Sequence, residues 1–412
     1  MIYTRQYQTI WVTGTLPETI LHPEVCVSLT GHLQIIWMEN SSAHTERLLS
    51  IQTLPSSLRN AKTTSIMISS KAYAALDSKT PLQPYNLSRR SVGPNDVHIE
   101  ILYCGVCHSD LHQARNEWGG SLYPMVPGHE IVGRVVEAGS QVSRFKAGDI
   151  AAVGVIVDSC RHCNPCKQDL EQYCIEAPTV TYNGYERDGK TLSQGGYSTN
   201  IVTNQHFVLR VDPGSDLKAV APLLCAGITT WSPLRHLKVG KGMRVAVAGL
   251  GGLGHMGLKF AVSLGAEVTL ISTSHEKEKD ARRLGAHNFI NVKDSAALKK
   301  FNCYFDVILN TISAPHDYKT YLDLLTLNGT MAIVGLPPEA QTVSPFSLLT
   351  NRRSIMGSCI GGIKETQEML DYCAANNIVS DVEVIPMQQI NEAFERMQKG
   401  DVRYRFVIDL AS

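Results

Sequence analysis

Between Asp158 and Cys174 the chain reads DSCRHCNPCKQDLEQYC, which places Cys160, Cys163, Cys166 and Cys174 within one short loop. Two residues separate each of the first three thiols and seven precede the last. Four thiolates delivered by one loop can close a tetrahedral zinc site with no position left for a substrate. Pairing them as disulfides is a poor alternative, because thiols at this spacing would strain as pairs. A metal held this way staples a lobe that has little core of its own. In small peptides such binding contributes about 10–16 kcal/mol at neutral pH.

A second group of metal-type side chains lies upstream, in CGVCHSDLHQARNEWGGSLYPMVPGHE (104–130). Taken alone, Cys107 reads as a small buried hydrophobe and His129 as a core histidine. Beside the cysteine loop they read differently. Thiolate and imidazole suit zinc, and a catalytic zinc keeps three protein ligands and one open position. Cys225, in APLLCAGITT, is the candidate third ligand. Glu130 is a neighbouring or alternative ligand, and Asp110 is placed to orient an imidazole. The other five cysteines (Cys26, Cys104, Cys303, Cys359 and Cys373) are scattered and read as ordinary thiols.

The chain changes character after Cys225. From about 66 to 224 it is β-rich, with VHIEILY (97–103), HEIVGRVVEAG (129–139) and DIAAVGVIV (149–157) as strands between turn residues. MRVAVAG (243–249) is then a short apolar strand, GLGGLGHMGLKFAVSLGA turns into a helix, and EVTLIS (267–272) is a second strand. The turn Gly249, Leu250, Gly251, Gly252, Leu253 and Gly254 lets backbone approach a pyrophosphate at a helix N-terminus. Alone the glycines are a weak signal; between a strand and a helix they are a strong one. FDVILN (305–310), TMAIVGL (330–336) and IMGSCIGG (355–362) continue the alternation of strand and helix, which means a doubly wound parallel sheet. KETQEMLDYCAANN and QQINEAFERMQKG read as amphipathic helices, and YRFVIDL (404–410) as a last strand.

GVCHSDLH, YPMVPGHEIVGRV and LLCAGITTWSPL, in that order and with the cysteine loop and glycine turn, resemble the zinc-containing medium-chain alcohol dehydrogenases. The nearest branch is that of the cinnamyl alcohol dehydrogenases and broad-specificity aldehyde reductases, and the resemblance runs from about Lys71 to Leu410. It implies an α/β protein with a discontinuous β-rich GroES-like catalytic domain (66–225 and 362–412) and a Rossmann domain (226–361). It implies hydride transfer between a nicotinamide cofactor and an aldehyde or primary alcohol, with one catalytic and one structural zinc ion. Ser109 and His112 would relay the proton, and Ser109, Thr229, Thr311, Gly335, Cys359, Ile360 and Gly361 would meet the cofactor. A homodimer is implied too, expected along the IMGSCIGG edge. Residues 1–65 match no part of the family and are read as an extension outside the core fold, upstream of Met67.

The cofactor follows from the end of the second strand. NAD-binding Rossmann domains commonly carry Asp or Glu there to bind the ribose 2′-hydroxyl. Here the position is Ser272, followed by Thr273, Ser274 and, after His275 and Glu276, Lys277. Hydroxyls and a lysine accommodate a 2′-phosphate that a carboxylate would repel, so NADP(H) is expected. Trp118, Leu122, Tyr123, Trp231 and Ile360 are candidates for an apolar substrate pocket.

Composition narrows the partners. Lys plus Arg and Asp plus Glu are equal at 38 each, which argues against nucleic acid or an acidic membrane surface. No apolar run approaches the ~20 residues of a membrane span, and no signal peptide is evident, so a reducing cytoplasm is expected. A zinc-free enone or quinone reductase would lack the seven ligand positions filled here. A zinc-ribbon nucleic-acid-binding protein would call for a basic surface that this charge balance does not supply.

Overall fold

The computed structural model describes residues 67–410, together with two short strands, Val25–Val27 and Ile35–Trp37, that pair antiparallel. Apart from those two strands, residues 1–65 and the expectation made for them fall outside the described residues. By contacts, Met1–Ser65 and Ile66–Ser412 are separate units, and the second carries every candidate site residue.

The first sheet of that unit is built around Asp96–Val106, eleven residues long. Its strands run in the order Leu209–Arg210, Ile150–Val153, Ile131–Ala138, Asp96–Val106, Arg405–Asp409 and Val382–Pro386, and Asn200–Asn204 also pairs with Asp96–Val106. Arg405–Asp409 returns from the end of the chain antiparallel to the long strand, with Phe406 opposite Val106 and Ile408 opposite Cys104. Side chains alternate between the two faces of a strand, and here both faces are buried. Ile131, Val135, Ala151, Val153, Phe406 and Ile408 enter one core. Val132, Ala152 and Val407 enter another, shared with Trp231, Val245, Leu258 and Leu270. Strands buried on both faces read as unbroken apolar runs, which is why DIAAVGVIV shows no alternation. The run is two strands, however: Ile150–Val153 and Ile156–Asp158 belong to different sheets, separated at Gly154.

The second sheet is wholly parallel, in the order Asn288–Asn291, Glu267–Ser272, Arg244–Ala248, Phe305–Asn310, Leu325–Ile333 and Ser354–Gly357. Numbered along the chain this is 3-2-1-4-5-6, the doubly wound arrangement, with its switch point between Arg244–Ala248 and Phe305–Asn310. Val245 and Val247 face the shared core while Ala246 and Ala248 face a third cluster with Ile271, Ile308 and Leu322. Ser354–Gly357 forms one edge of the sheet. It ends at Gly357, so Cys359–Gly361 lie beyond the carboxyl end of the strand, where such sheets leave their ligand crevice. Three elements depart from the sequence reading. Leu325–Ile333 starts five residues before TMAIVGL, Asn288–Asn291 carries no alternation to announce it, and Val382–Pro386 alternates only over Val382–Val384.

Candidate functional site

Cys160, Cys163, Cys166 and Cys174 bring their sulfurs within 4.8 Å of one another. Cys160 and Cys166 are 3.9 Å apart, Sγ to Sγ. Four sulfurs at about 2.3 Å from a tetrahedral zinc would lie about 3.8 Å apart, so the donor set fits the ion. Backbone N–H groups of Cys163 and Cys160 point at Cys160 and Cys174 Sγ, at 3.3 and 3.4 Å. Amide donors from Ile175 and Cys166 hold the Cys163 thiol down to about 6, which favours the thiolate a metal requires.

The second constellation is assembled from three distant parts of the chain. Cys107 precedes the helix His108–Ala114, His129 stands just before the strand Ile131–Ala138, and Cys225 caps the helix Ala226–His236. Their donor atoms and a carboxylate oxygen of Glu130 lie within 4.8 Å of one another, and all four residues are buried. Cys107 Sγ and Cys225 Sγ are 3.9 Å apart, again the separation a tetrahedral zinc imposes. The hydrogen bond between them holds the Cys107 thiol well below its ordinary value and pushes the Cys225 thiol up.

Asp110 organises this centre. Its carboxylate is fully buried and accepts from Cys107 N at 2.9 Å, Gly128 N at 3.1 Å and Tyr197 Oη at 2.9 Å. It also accepts from His129 Nδ1 at 3.0 Å, which fixes the tautomer and turns Nε2 toward the sulfurs. Burial disfavours an imidazolium at His129, but Asp110 and Cys107 outweigh burial and raise its pKa well above the ordinary value. Glu130 is bound instead by the Arg405 guanidinium, with its Oε1 4.0 Å from His129 Nε2; burial pushes its carboxyl up to about 7. Arg405, 4% exposed, was not singled out from the sequence. It opens a strand whose next three residues are apolar, and only the pairing of that strand with Asp96–Val106 shows where it points.

Ser109 Oγ is 3.6 Å from Cys107 Sγ, beside the constellation. His112 is half-buried, 2.5 Å from Glu117 Oε2 through Nδ1, and its ring centroid is 4.9 Å from that of the exposed Trp118. Trp231, by contrast, is a core residue: it is 3% exposed and packs on Phe260 and Tyr372, so it lines no substrate pocket.

The glycine turn opens onto a cleft lined by Gly251, Gly252, His108, Lys277, Arg403 and Arg405. Gly254 allows the helix to begin against the strand, since a Cβ there would sit 2.1 Å from Gly249 O. At Gly251 a Cβ would meet nothing within 4 Å, so the turn leaves an open cradle beside four cationic or imidazole groups. Leu250 is buried and Leu253 packs against the shared core. Lys277 Nζ donates to Leu250 O at 2.9 Å; burial lowers its pKa, and Arg403 lowers it further. Ser272 ends its strand and accepts from Ser274 N at 3.3 Å, with Thr273 between them. Thr311 Oγ1 donates to Ala248 O at 2.8 Å, a Cβ at Gly335 would strike Ile312 O, and Thr229 sits in the helix that Cys225 caps.

Comparison with known proteins agrees with this geometry. Residues 93–213 match the alcohol dehydrogenase GroES-like domain and residues 252–375 the zinc-binding dehydrogenase family. The chain is 53% identical over 341 residues to the aldehyde reductase YahK of Escherichia coli, covering 82% of this chain and 97% of that protein. It is 51% identical over 342 residues to NADP-dependent alcohol dehydrogenase C 1 of Mycolicibacterium smegmatis, covering 83% and 98%. A cinnamyl alcohol dehydrogenase structure from Sorghum bicolor superposes with a TM-score of 0.81 at 42% identity, over 84% of this chain and 98% of that one. The Helicobacter pylori CAD complexed with NADP(H) gives 0.79 at 43%, over 84% and 99%. The chain belongs to the zinc-containing medium-chain alcohol dehydrogenases, in the branch of the cinnamyl alcohol dehydrogenases and aldehyde reductases.

Proposed function

We propose that this protein catalyses reversible hydride transfer between NADP(H) and an aldehyde or primary alcohol, acting on a broad range of aldehydes. The observation that carries the reading is the buried set Cys107, His129 and Cys225, with two sulfurs at zinc-ligand separation beside an open nucleotide cleft. Bound there, zinc supplies Lewis acidity at the carbonyl oxygen, and NADPH supplies the hydride. Asp110 keeps His129 in the ligating tautomer, and Arg405 holds Glu130 as a neighbouring charge. Ser109 is the proposed first proton carrier. His112, backed by Glu117, passes the proton to solvent.

The residues that would hold the cofactor are the turn Gly249–Gly254, Ser272, Thr273, Ser274 and Lys277 for its phosphates, and Ser109, Thr229, Thr311, Gly335 and Cys359–Gly361 for the rest. The proposed domains are 66–225 with 362–412, and 226–361. Cys160, Cys163, Cys166 and Cys174 hold the structural zinc. A two-fold homodimer along Ser354–Gly357 is supported by its edge position and by the exposure of Phe346 and Leu349 in the adjacent helix Pro345–Leu349. The metal-type cysteine spacing suits a reducing cytoplasm, and no described helix is long and apolar enough to cross a membrane.

The test is metal content together with a panel of aromatic and aliphatic aldehydes assayed with NADPH and NADH. Two zinc ions per chain and NADPH-dependent reduction of several aldehydes are expected. A metal-free protein, or equal efficiency with both cofactors, would contradict the proposal. Light scattering tests the dimer, which a purely monomeric protein would exclude.

A further inference from the structure

We propose that Glu171 and Tyr173, carried by the four-cysteine lobe, are positioning residues that clamp the segment Cys359–Gly361 in place for the cofactor. Glu171 is 2% exposed, and its carboxylate meets Ile363 and His206. Oε2 accepts from Ile363 N at 3.0 Å, and Oε1 is 3.2 Å from His206 Nε2. Ile363 is the first residue of the fourteen-residue helix Ile363–Asn376, whose N-terminal N–H groups have no partner within the helix. Its own cap position, Gly362, has no side chain to accept from them. The lobe therefore supplies from outside the carboxylate that this helix lacks, where the helix dipole favours negative charge.

Two further contacts join the same surfaces. Cys359 N donates to Tyr173 Oη at 3.3 Å, and Lys364 Nζ is 3.2 Å from Asp169 Oδ2. The approach is close enough that a Cβ at Gly362 would sit 1.8 Å from Asp169 O. All three lobe residues lie between Cys166 and Cys174, so the loop that the metal closes is the loop that grips residues 359–364. Cys359–Gly361 follow the last strand of the parallel sheet at its ligand-binding end, and Ile360 is held at φ +40. With Tyr173 on one side of that turn and Glu171 on the other, its backbone is fixed before the cofactor arrives. Preorganisation of this kind appears as cofactor affinity.

This inference rests on the NADP(H) reading above, and the experiment separates the two. NADPH affinity is measured by fluorescence titration of the zinc-loaded enzyme and of Glu171→Ala, Glu171→Gln and Tyr173→Phe, with zinc content checked in each. Glu171→Ala is expected to raise the NADPH Kd by about tenfold, the scale of one lost hydrogen bond to a charged acceptor. Glu171→Gln should recover part of the loss, because its amide oxygen still accepts from Ile363 N. Tyr173→Phe should raise the Kd by about two- to fivefold. Tyr173 is 45% exposed, so this variant keeps the fold even if Glu171→Ala does not. The KM for aldehyde and the zinc content should stay unchanged. Hydrogen exchange without cofactor should be faster across residues 359–366 in the Glu171→Ala protein. Wild-type affinity in Tyr173→Phe and in every Glu171 variant that folds overturns the clamp alone. A wild-type enzyme that does not bind NADPH overturns both readings.

Discussion

Acidification should weaken this fold through His255 in particular. The residue lies in the helix Gly254–Ser263 and is fully buried. Its Nδ1 is 3.2 Å from Gly251 O and donates to it, which leaves Nε2 to accept from Ser380 Oγ at 3.0 Å. The ring stacks on Tyr404, centroids 4.9 Å apart. The charged groups around it are Lys259 on its own helix, Arg405 on the last strand and Asp381 after Ser380. Burial lowers the pKa of His255 to about 3, and Lys259 and Arg405 add to the effect against a smaller opposing contribution from Asp381. The unfolded chain binds this proton near 6.5 and the folded one near 3, so between those values the unfolded state carries more protons. The stabilising contribution is complete above about pH 6.5 and is lost as pH falls toward 3. At about 1.4 kcal/mol per pH unit, roughly 2 kcal/mol is gone by pH 5 and nearly 5 kcal/mol by pH 3. Guanidinium unfolding of wild type and His255→Gln, compared at each pH from 8 to 5, isolates this group from the zinc ligands, which titrate in both proteins. The variant should be less stable at pH 8, and the gap should shrink by about 2 kcal/mol at pH 5. A gap that stays constant across that range would refute the assignment of His255 as a neutral core residue.

Other substitutions probe the metal sites, the buried ion pair and the cofactor. Cys107→Ala or Cys225→Ala should abolish turnover in a folded protein that retains one zinc per chain and still binds NADPH; turnover at the wild-type rate would exclude the zinc mechanism. Cys163→Ala should instead lower soluble yield and thermal stability, because it opens a closed structural site. Arg405→Met leaves the Glu130 carboxylate buried without its partner and should cost about 3–5 kcal/mol in chemical denaturation, much of it recovered in the Glu130→Gln/Arg405→Met double variant. Strict additivity of the two single changes would show that the pair is not coupled. Ser272→Asp should lower kcat/KM with NADPH by about tenfold or more and move preference toward NADH, since a carboxylate there repels the 2′-phosphate; an unchanged cofactor ratio would remove Ser272 from the selection.

What the sequence by itself determined is the chemistry that short spacing can encode. Cys160, Cys163, Cys166 and Cys174 are close enough along the chain for one loop to bring them together. The strand, glycine turn and helix from Met243 onward form one local unit, and Ser272 follows directly from the end of its second strand. Such features depend on neighbours a few residues away, and their signal survives in the order of residues. Tertiary structure alone decided which distant groups share a site. Cys107 and Cys225 stand 118 residues apart in the chain yet bring their sulfurs to 3.9 Å, and their resemblance to family motifs named them without showing that convergence. Arg405 reaches Glu130 only because the last strand pairs with Asp96–Val106 in a register that points this side chain inward. Trp231 has the composition of a pocket wall, but the packing of Phe260 and Tyr372 makes it core. Glu171 looks like an ordinary charge in a polar loop until the lobe folds onto Ile363. Periodicity and spacing specify the faces of an element; sheet order and register specify what those faces meet, and that information is spread over the whole chain.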